Sequence, residues 1–249
     1  MSRTVPGWGW VLLGLAVLVT LAAQAPLLLR RMDAFRVERV EVLGTRYLAP
    51  HEALAVSGIA DTSSIFDDPG PWRAALLRHP LVADVKIERK LPRTLIVTIV
   101  EVEPVALVRT PELRPVDAKG RMLPIDPAGA VLDVPIVGGV VSVTEDGRIE
   151  GDTAVALIDV AARLARTAPT FAVRVSEVVP AADGAVRLLL REPPSAEVLL
   201  PAALDGKRLE QLRLTIQDLE RRQEMADVRR IDVRFRDQVV VSFNPSANG

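Results

Sequence analysis

The sequence predicts an α+β chain in three parts: a single N-terminal transmembrane helix, a β-α-α-β-β unit, and a mostly antiparallel β domain with flanking helices. Three observations predict it. An uncharged apolar run fills residues 8–29, short β-branched stretches alternate with period two from residue 35 onward, and two later segments repeat apolar side chains at three and four residues. With 49% apolar and 25% charged residues among 249, the chain can bury more than one core.

From Trp8 to Leu29 the chain reads WGWVLLGLAVLVTLAAQAPLLL, with Thr20 and Gln24 the only polar side chains besides the indoles. At ~1.5 Å per residue such a helix spans roughly 30 Å, the hydrocarbon thickness of a bilayer. Trp8 and Trp10 at one end, and Arg30 with Arg31 at the other, are the expected interface anchors, giving a span over 8–31 behind a short tail of residues 1–7. Ala23-Gln24-Ala25 has the small-x-small form of a signal-peptidase site, but Pro26 would follow the cut and Leu27 to Leu29 resume the apolar run. The expectation is therefore an uncleaved anchor. The alternative is a cleaved, fully soluble periplasmic binding protein, which the mass of the mature chain would decide. Arg3 and the terminal amine on one side balance Arg30 and Arg31 on the other, so charge counting alone does not orient the helix.

Residues 35–43, FRVERVEVL, alternate Val37, Val40 and Val42 with charged neighbours, which predicts a half-buried strand stopped at Gly44. Pro50 suits a first helical position, with Ala53, Leu54 and Ile59 following. A second short helix fits Trp72 to Arg78, with Trp72, Ala75 and Leu76 on one face and Pro80 forbidding continuation. Val82 to Glu88 alternates again, Pro92 marks a turn, and Leu95 to Glu103 is a β-branched run of strand type. The stretches VERVEVLGTRYLAPHEAL and WRAALLRHPLVADVKIERKLPRTLIVTIVEVEPVALV resemble a POTRA domain, placed at residues 35–103. A POTRA unit directly after one anchoring helix, and ahead of a mostly β second domain, resembles the FtsQ/DivIB family of bacterial division proteins.

The second domain is expected over residues 104–245, with 246–249 a disordered tail. In VDAKGRMLPI, Asp117 and Gly120 would make a hairpin turn, and DVPIVGG follows at 133–139; both resemble segments that open the family's second domain. Over 153–165, Val155, Ile158, Ala162 and Ala165 share a helical face behind a cap at Asp152. Val173 to Val179 and Val186 to Leu190 bracket Asp183-Gly184, a two-residue hairpin signal, and Glu197 to Leu200 adds a third short strand. A helix from Asp205 puts Leu209, Leu212, Ile216 and Leu219 on one stripe. The ending RRIDVRFRDQVVVSFNP is very similar to the terminal aspartate-hydrophobic-arginine-aromatic, turn and strand of the same family.

Chemistry is sparse. The absence of cysteine removes disulfides and thiolate catalysis, and His51 with His79 is too little for a histidine metal site. Gly206-Lys207-Arg208 lacks the glycines and hydroxyl of a P-loop, and no serine sits in a G-x-S-x-G elbow. Asp67 and Asp68 read as helix-starting acceptors and His79 as a helix-end group. Thirty-one basic against 32 acidic residues give no field for nucleic acid. No enzyme activity, cofactor, metal or small-molecule substrate is expected.

What the resemblance implies is a division scaffold that gathers and restrains septal peptidoglycan synthesis. It would sit in the bacterial inner membrane at the septum, N-terminus cytoplasmic and outer domains periplasmic. Its last strand would receive an FtsB-like protein, itself paired with an FtsL-like one, by β-augmentation, while the POTRA unit would contact other divisome membrane proteins. Carried over by motif, Arg234 and Phe235 match the family's arginine-aromatic pair and Phe243 its closing aromatic, with Val239, Val240 and Val241 as the backbone ladder. Arg234 would pair with a partner carboxylate and the aromatics would pack on apolar side chains. Asp237-Gln238 stands where the family often has a glycine, which puts that turn in question. Without the resemblance, the segment reads as an ordinary core strand filled by Val239, Val241 and Phe243. The alternative function is a POTRA-containing secretion or outer-membrane assembly component, which usually needs a C-terminal membrane barrel for which residues 110–249 are too few and too helical.

Overall fold

The computed structural model describes residues 11–12, 14–20, 29, 32–194, 196–201 and 204–244. They fall into two compact units, divided between Val102 and Glu103.

The expected transmembrane helix does not stand: among the described residues no helix is long and apolar enough to cross a membrane. Of residues 8–31 the longest described run is 14–20, helical and exposed, which advances only about 10 Å at ~1.5 Å per residue. The longest described helices have 16 residues each and carry charged faces. The single-pass topology and the inner-membrane, septal location built on it are therefore withdrawn. Trp8, Trp10, Arg30 and Arg31, and the tails at 1–7 and 246–249, lie outside the described residues.

The first unit follows the β-α-α-β-β order. Strand β1 (Arg39–Leu43) leads to helices α1 (Pro50–Ser57) and α2 (Gly70–Leu76), then β2 (Val82–Lys90) and β3 (Thr94–Glu101). The sheet order is β1-β3-β2, with β1 parallel to β3 and β2 antiparallel to it. A parallel neighbour needs a crossover, and the two helices supply it. The expected strand over 35–43 is shorter because Asp33–Phe35 forms a 3-10 turn. There the Phe35 ring packs edge-on against Phe66 at 5.0 Å. Pro50 opens α1, and Gly58 closes it in the left-handed region at φ 73°. Ala53 faces the core while Leu54 is exposed. Val37, Ile65, Trp72 and Leu95 form the buried cluster of this unit. Arg73 binds α2 to β2, donating from Nε to the Val85 carbonyl at 2.9 Å and from Nη2 to Asp84 at 2.6 Å. Gly44, at φ 82°, lies where a Cβ would collide with the Ile99 carbonyl oxygen.

The second unit is built on an eight-stranded sheet. Its strands in chain order are β4 (Ala106–Thr110), β5 (Glu112–Val116), β6 (Ile136–Val137), a separate β7 (Ser142–Val143) and β8 (Ile149–Glu150) pair, β9 (Val175–Pro180), β10 (Val186–Leu190), β11 (Glu197–Leu200), β12 (Val228–Asp232) and β13 (Val240–Phe243). Helix α3 (Asp152–Thr167) and the short α4 (Pro169–Ala172) precede β9, and α5 (Gly206–Arg221) lies between β11 and β12. Spatial order is β13-β12-β11-β10-β9-β6-β4-β5. Antiparallel pairs predominate, but β4–β6, β6–β9 and β11–β12 are parallel. The chain leaves β6 and β11 through helical connections and returns alongside in the same direction. The Asp183-Gly184 hairpin forms with both residues left-handed, at φ 56° and 71°.

Helix α5 buries the expected stripe, Leu209, Leu212, Ile216 and Leu219, and its cap is Asp205, whose carboxylate accepts from the Arg208 N–H at 2.8 Å. In helix α3 the expected Ile158 and Ala162 are buried, together with Ala154, Leu157, Ala161 and Leu164, whereas Val155 and Ala165 face water. The two leucines make the larger apolar stripe. Gly151, not Asp152, occupies its N-cap. Both helices contribute to one core with Val178, Leu188, Val198 and Ile231 of the sheet.

Candidate partner-binding edge

Strand β13 closes one side of the eight-stranded sheet, paired antiparallel with β12 as Ile231↔Val241 and Asp232↔Val240, and among the described residues no strand pairs with its other side. A bulge in β12 between Val228 and Arg230 leaves β13 itself regular. The Asn244 N–H donates to the Asp227 carbonyl at 2.8 Å. In an antiparallel strand successive residues turn their main-chain groups to opposite sides. Val240 and Ser242 therefore face β12, and Val241 and Phe243 turn their N–H and C=O groups to the open edge. Side chains divide by the same parity: Val239 and Val241 pack on the core, while Val240 is 39% exposed. Phe243 remains 45% exposed, and Phe235, in the connection before β13, 47%. Among the described residues the strand thus packs one face on the core and has no strand along its outer edge.

Arg234 is engaged within the chain. Its Nε and Nη2 grip the Asp232 carboxylate at 2.9 and 2.6 Å, and its backbone N–H donates to the same group at 3.1 Å. The Arg234 side chain holds the Asp232 carboxyl below the usual carboxylate range against the opposing pull of burial, and Asp232 raises the guanidinium in turn. Beside it, Glu197 bridges Arg187 at 3.2 Å and Arg230 at 2.5 Å, linking β10, β11 and β12. Three residues outside the expected set, Asp232, Glu197 and Arg208, thus brace this segment. Asp232 carried a signal, since residues two apart on a strand share a face. Arg208, whose Nη1 donates to the Val233 carbonyl at 2.6 Å and also to that of Phe235, carried none. The connection 233–239 contains no residue at positive φ, so it needs no glycine at Asp237-Gln238.

The remaining candidates have local roles. Asp67 and Asp68 accept from the N–H groups of Ser64 and Gly70, at 2.7 and 3.0 Å. His79 Nδ1 accepts from the Leu81 N–H at 3.3 Å, beyond the end of α2. Among the described residues no cluster of three or more metal-ligating side chains exists.

A helix-backed three-stranded unit followed by a large sheet with an open terminal edge defines a protein-binding module of the POTRA-plus-β class. Residues 35–101 match the FtsQ-type POTRA domain, and residues 106–234 match the C-terminal domain of the cell division protein FtsQ/DivIB. The chain belongs to the FtsQ/DivIB family, whose members are non-catalytic division scaffolds. It is similar to the cell division protein FtsQ of Syntrophotalea carbinolica, 31% identical over 117 residues that cover 46% of this chain and 42% of that protein. It is also similar to FtsQ of Anaeromyxobacter sp., 32% identical over 93 residues covering 37% and 32%. The matched segment thus spans less than half the length of these relatives. The C-terminal match stops at Arg234, so Phe235 and β13 lie beyond it.

Proposed function

We propose that the chain is a scaffold of the bacterial division machinery that makes no covalent bond itself. An extended segment of an FtsB-like protein, paired with an FtsL-like one, adds as a further strand along β13. Through that contact the scaffold links early and late division proteins and restrains septal peptidoglycan synthesis, while the POTRA unit contacts other division proteins. The observation that carries this reading is the outer edge of β13, where the main-chain groups of Val241 and Phe243 turn away from β12 and the Phe235 and Phe243 rings are half exposed. Main-chain bonds supply affinity there and the aromatic rings supply selectivity. Arg234 contributes by locking the approach to the strand through Asp232.

The test is a titration of the full chain with a purified FtsB-like protein from the same cells, followed by amide exchange. Slowed exchange at Val241 and Phe243 is the expected result, with Phe235→Ala and a truncation before Val239 both losing the complex. Binding that leaves those amides unprotected would place the contact elsewhere, and absence of binding would remove the FtsB-like partner.

A further inference from the structure

We infer that Arg208 is a positioning residue for docking at the β13 edge: from the first turn of α5 it sets where Phe235 and the start of the edge strand stand. The inference rests on the edge-docking reading above. One nitrogen, Nη1, donates to the carbonyls of Val233 and Phe235. Two oxygens that both reach one donor nitrogen lie at most roughly 6 Å apart. Same-side carbonyls two residues apart in a strand are roughly 6.8 Å apart. The shared donor therefore holds the chain in a bend immediately after β12, and the dissimilar direction of the next strand starts from that bend.

The fulcrum of this contact is rigid. The Arg208 N–H is itself fixed on the Asp205 carboxylate at 2.8 Å. The adjoining Leu209 and the following Leu212 are 6% and 1% exposed. Just ahead of α5, Arg163 of α3 donates to the Leu204 carbonyl at 3.2 Å and is held by Asp159 at 2.6 Å. A core-anchored guanidinium thus reaches across 25 residues of sequence to a surface connection whose aromatic ring is 47% exposed. Removing it frees Phe235 to sample other positions, and apparent affinity falls in proportion to the fraction that stays competent.

Because both bonds leave from a single nitrogen, a lysine ammonium, with three protons on one nitrogen, keeps the donor pattern although it reaches one bond less far. Arg234 is different, since it uses two nitrogens on one carboxylate. The experiment titrates the labelled FtsB-like protein with full-length wild type, Arg208→Gln, Arg208→Lys and Arg234→Lys, alongside amide exchange and thermal unfolding of each free protein. We expect Arg208→Gln to weaken binding about tenfold, to speed exchange at 235–241, and to leave the unfolding midpoint near that of wild type. Arg208→Lys should recover most of both effects and Arg234→Lys should not. A wild type that binds while Arg208→Gln binds equally well refutes the role of Arg208 alone. A wild type that does not bind the probe refutes the docking reading and this role with it.

Discussion

Replacing Val241 by proline tests the edge by parity. The Asn244 N–H turned toward Asp227 puts the Val241 N–H on the open side, so Val241→Pro removes no bond of the β12–β13 ladder. Proline is tolerated on an edge strand at such a position. The cost to the free protein is some packing of a partly buried side chain, about 1 kcal/mol, or roughly a 3 °C lower unfolding midpoint. A docked strand would lose one donor and leave its own acceptor unpaired, which costs roughly 1–3 kcal/mol, or about 5- to 150-fold in affinity. Ser242→Pro is the contrast, because its N–H faces β12 and the substitution should unseat β13 itself. Calorimetric titration with the FtsB-like protein reads affinity, and thermal unfolding reads the cost to the fold. Wild-type affinity in a folded Val241→Pro protein would refute docking along this edge.

Gly44→Ala should destabilise the first unit by more than about 1 kcal/mol, since its left-handed φ of 82° and the nearby Ile99 carbonyl both oppose a Cβ; accelerated exchange at β1 and β3 would show it. Asp232 has a folded pKa below its ordinary 3.8, so its pairing stabilises the fold above that value and the contribution is lost as pH falls through the lower folded pKa. A carboxyl-carbon titration should find Asp232 still ionised where an unpaired aspartate has protonated, and Arg234→Gln should bring it back up. Arg234 is paired with Asp232, and Arg230 shares Glu197 with Arg187. Raising salt from 0.05 to 0.3 M should therefore weaken partner binding by less than about tenfold, and a steeper loss would mean that charge, not the open strand, carries the contact.

Local periodicity made much of the fold legible. Leu209, Leu212, Ile216 and Leu219 repeat as a helix must to bury one stripe, and Asp183-Gly184 supplies the left-handed pair that the hairpin needs. In α3 the expected Ile158 and Ala162 are buried but Val155 and Ala165 are not, since only packing decides between overlapping apolar stripes. Parallel neighbours such as β11 and β12 were not legible, since pairing across a helical crossover leaves no local mark. At the edge, the half-exposed aromatics and the valine run could be picked from their pattern, but the commitment of Arg234 to Asp232 and the reach of Arg208 are tertiary. The apolar run at residues 8–29 shows the converse limit: hydropathy and length satisfied a membrane pattern that no described helix meets.

Three arginines near this edge are engaged within the chain, and that bears on how the edge could bind. Arg230 is held by Glu197, Arg234 by Asp232, and Arg208 by two carbonyls, so three of the nearest guanidiniums serve the architecture of the strand rather than a ligand. What stays open is what proteins usually cover: outward N–H and C=O groups and two aromatic rings. Those groups recognise backbone and apolar side chains, which nearly any extended segment possesses, so discrimination has to come from where the rings stand. On the docking proposed above, a partner strand would meet Phe235 and Phe243 at an offset from the ladder that Arg208 and Arg234 help to hold. Selectivity of the proposed site would then be a property of rigid placement, built from residues that need never touch the partner.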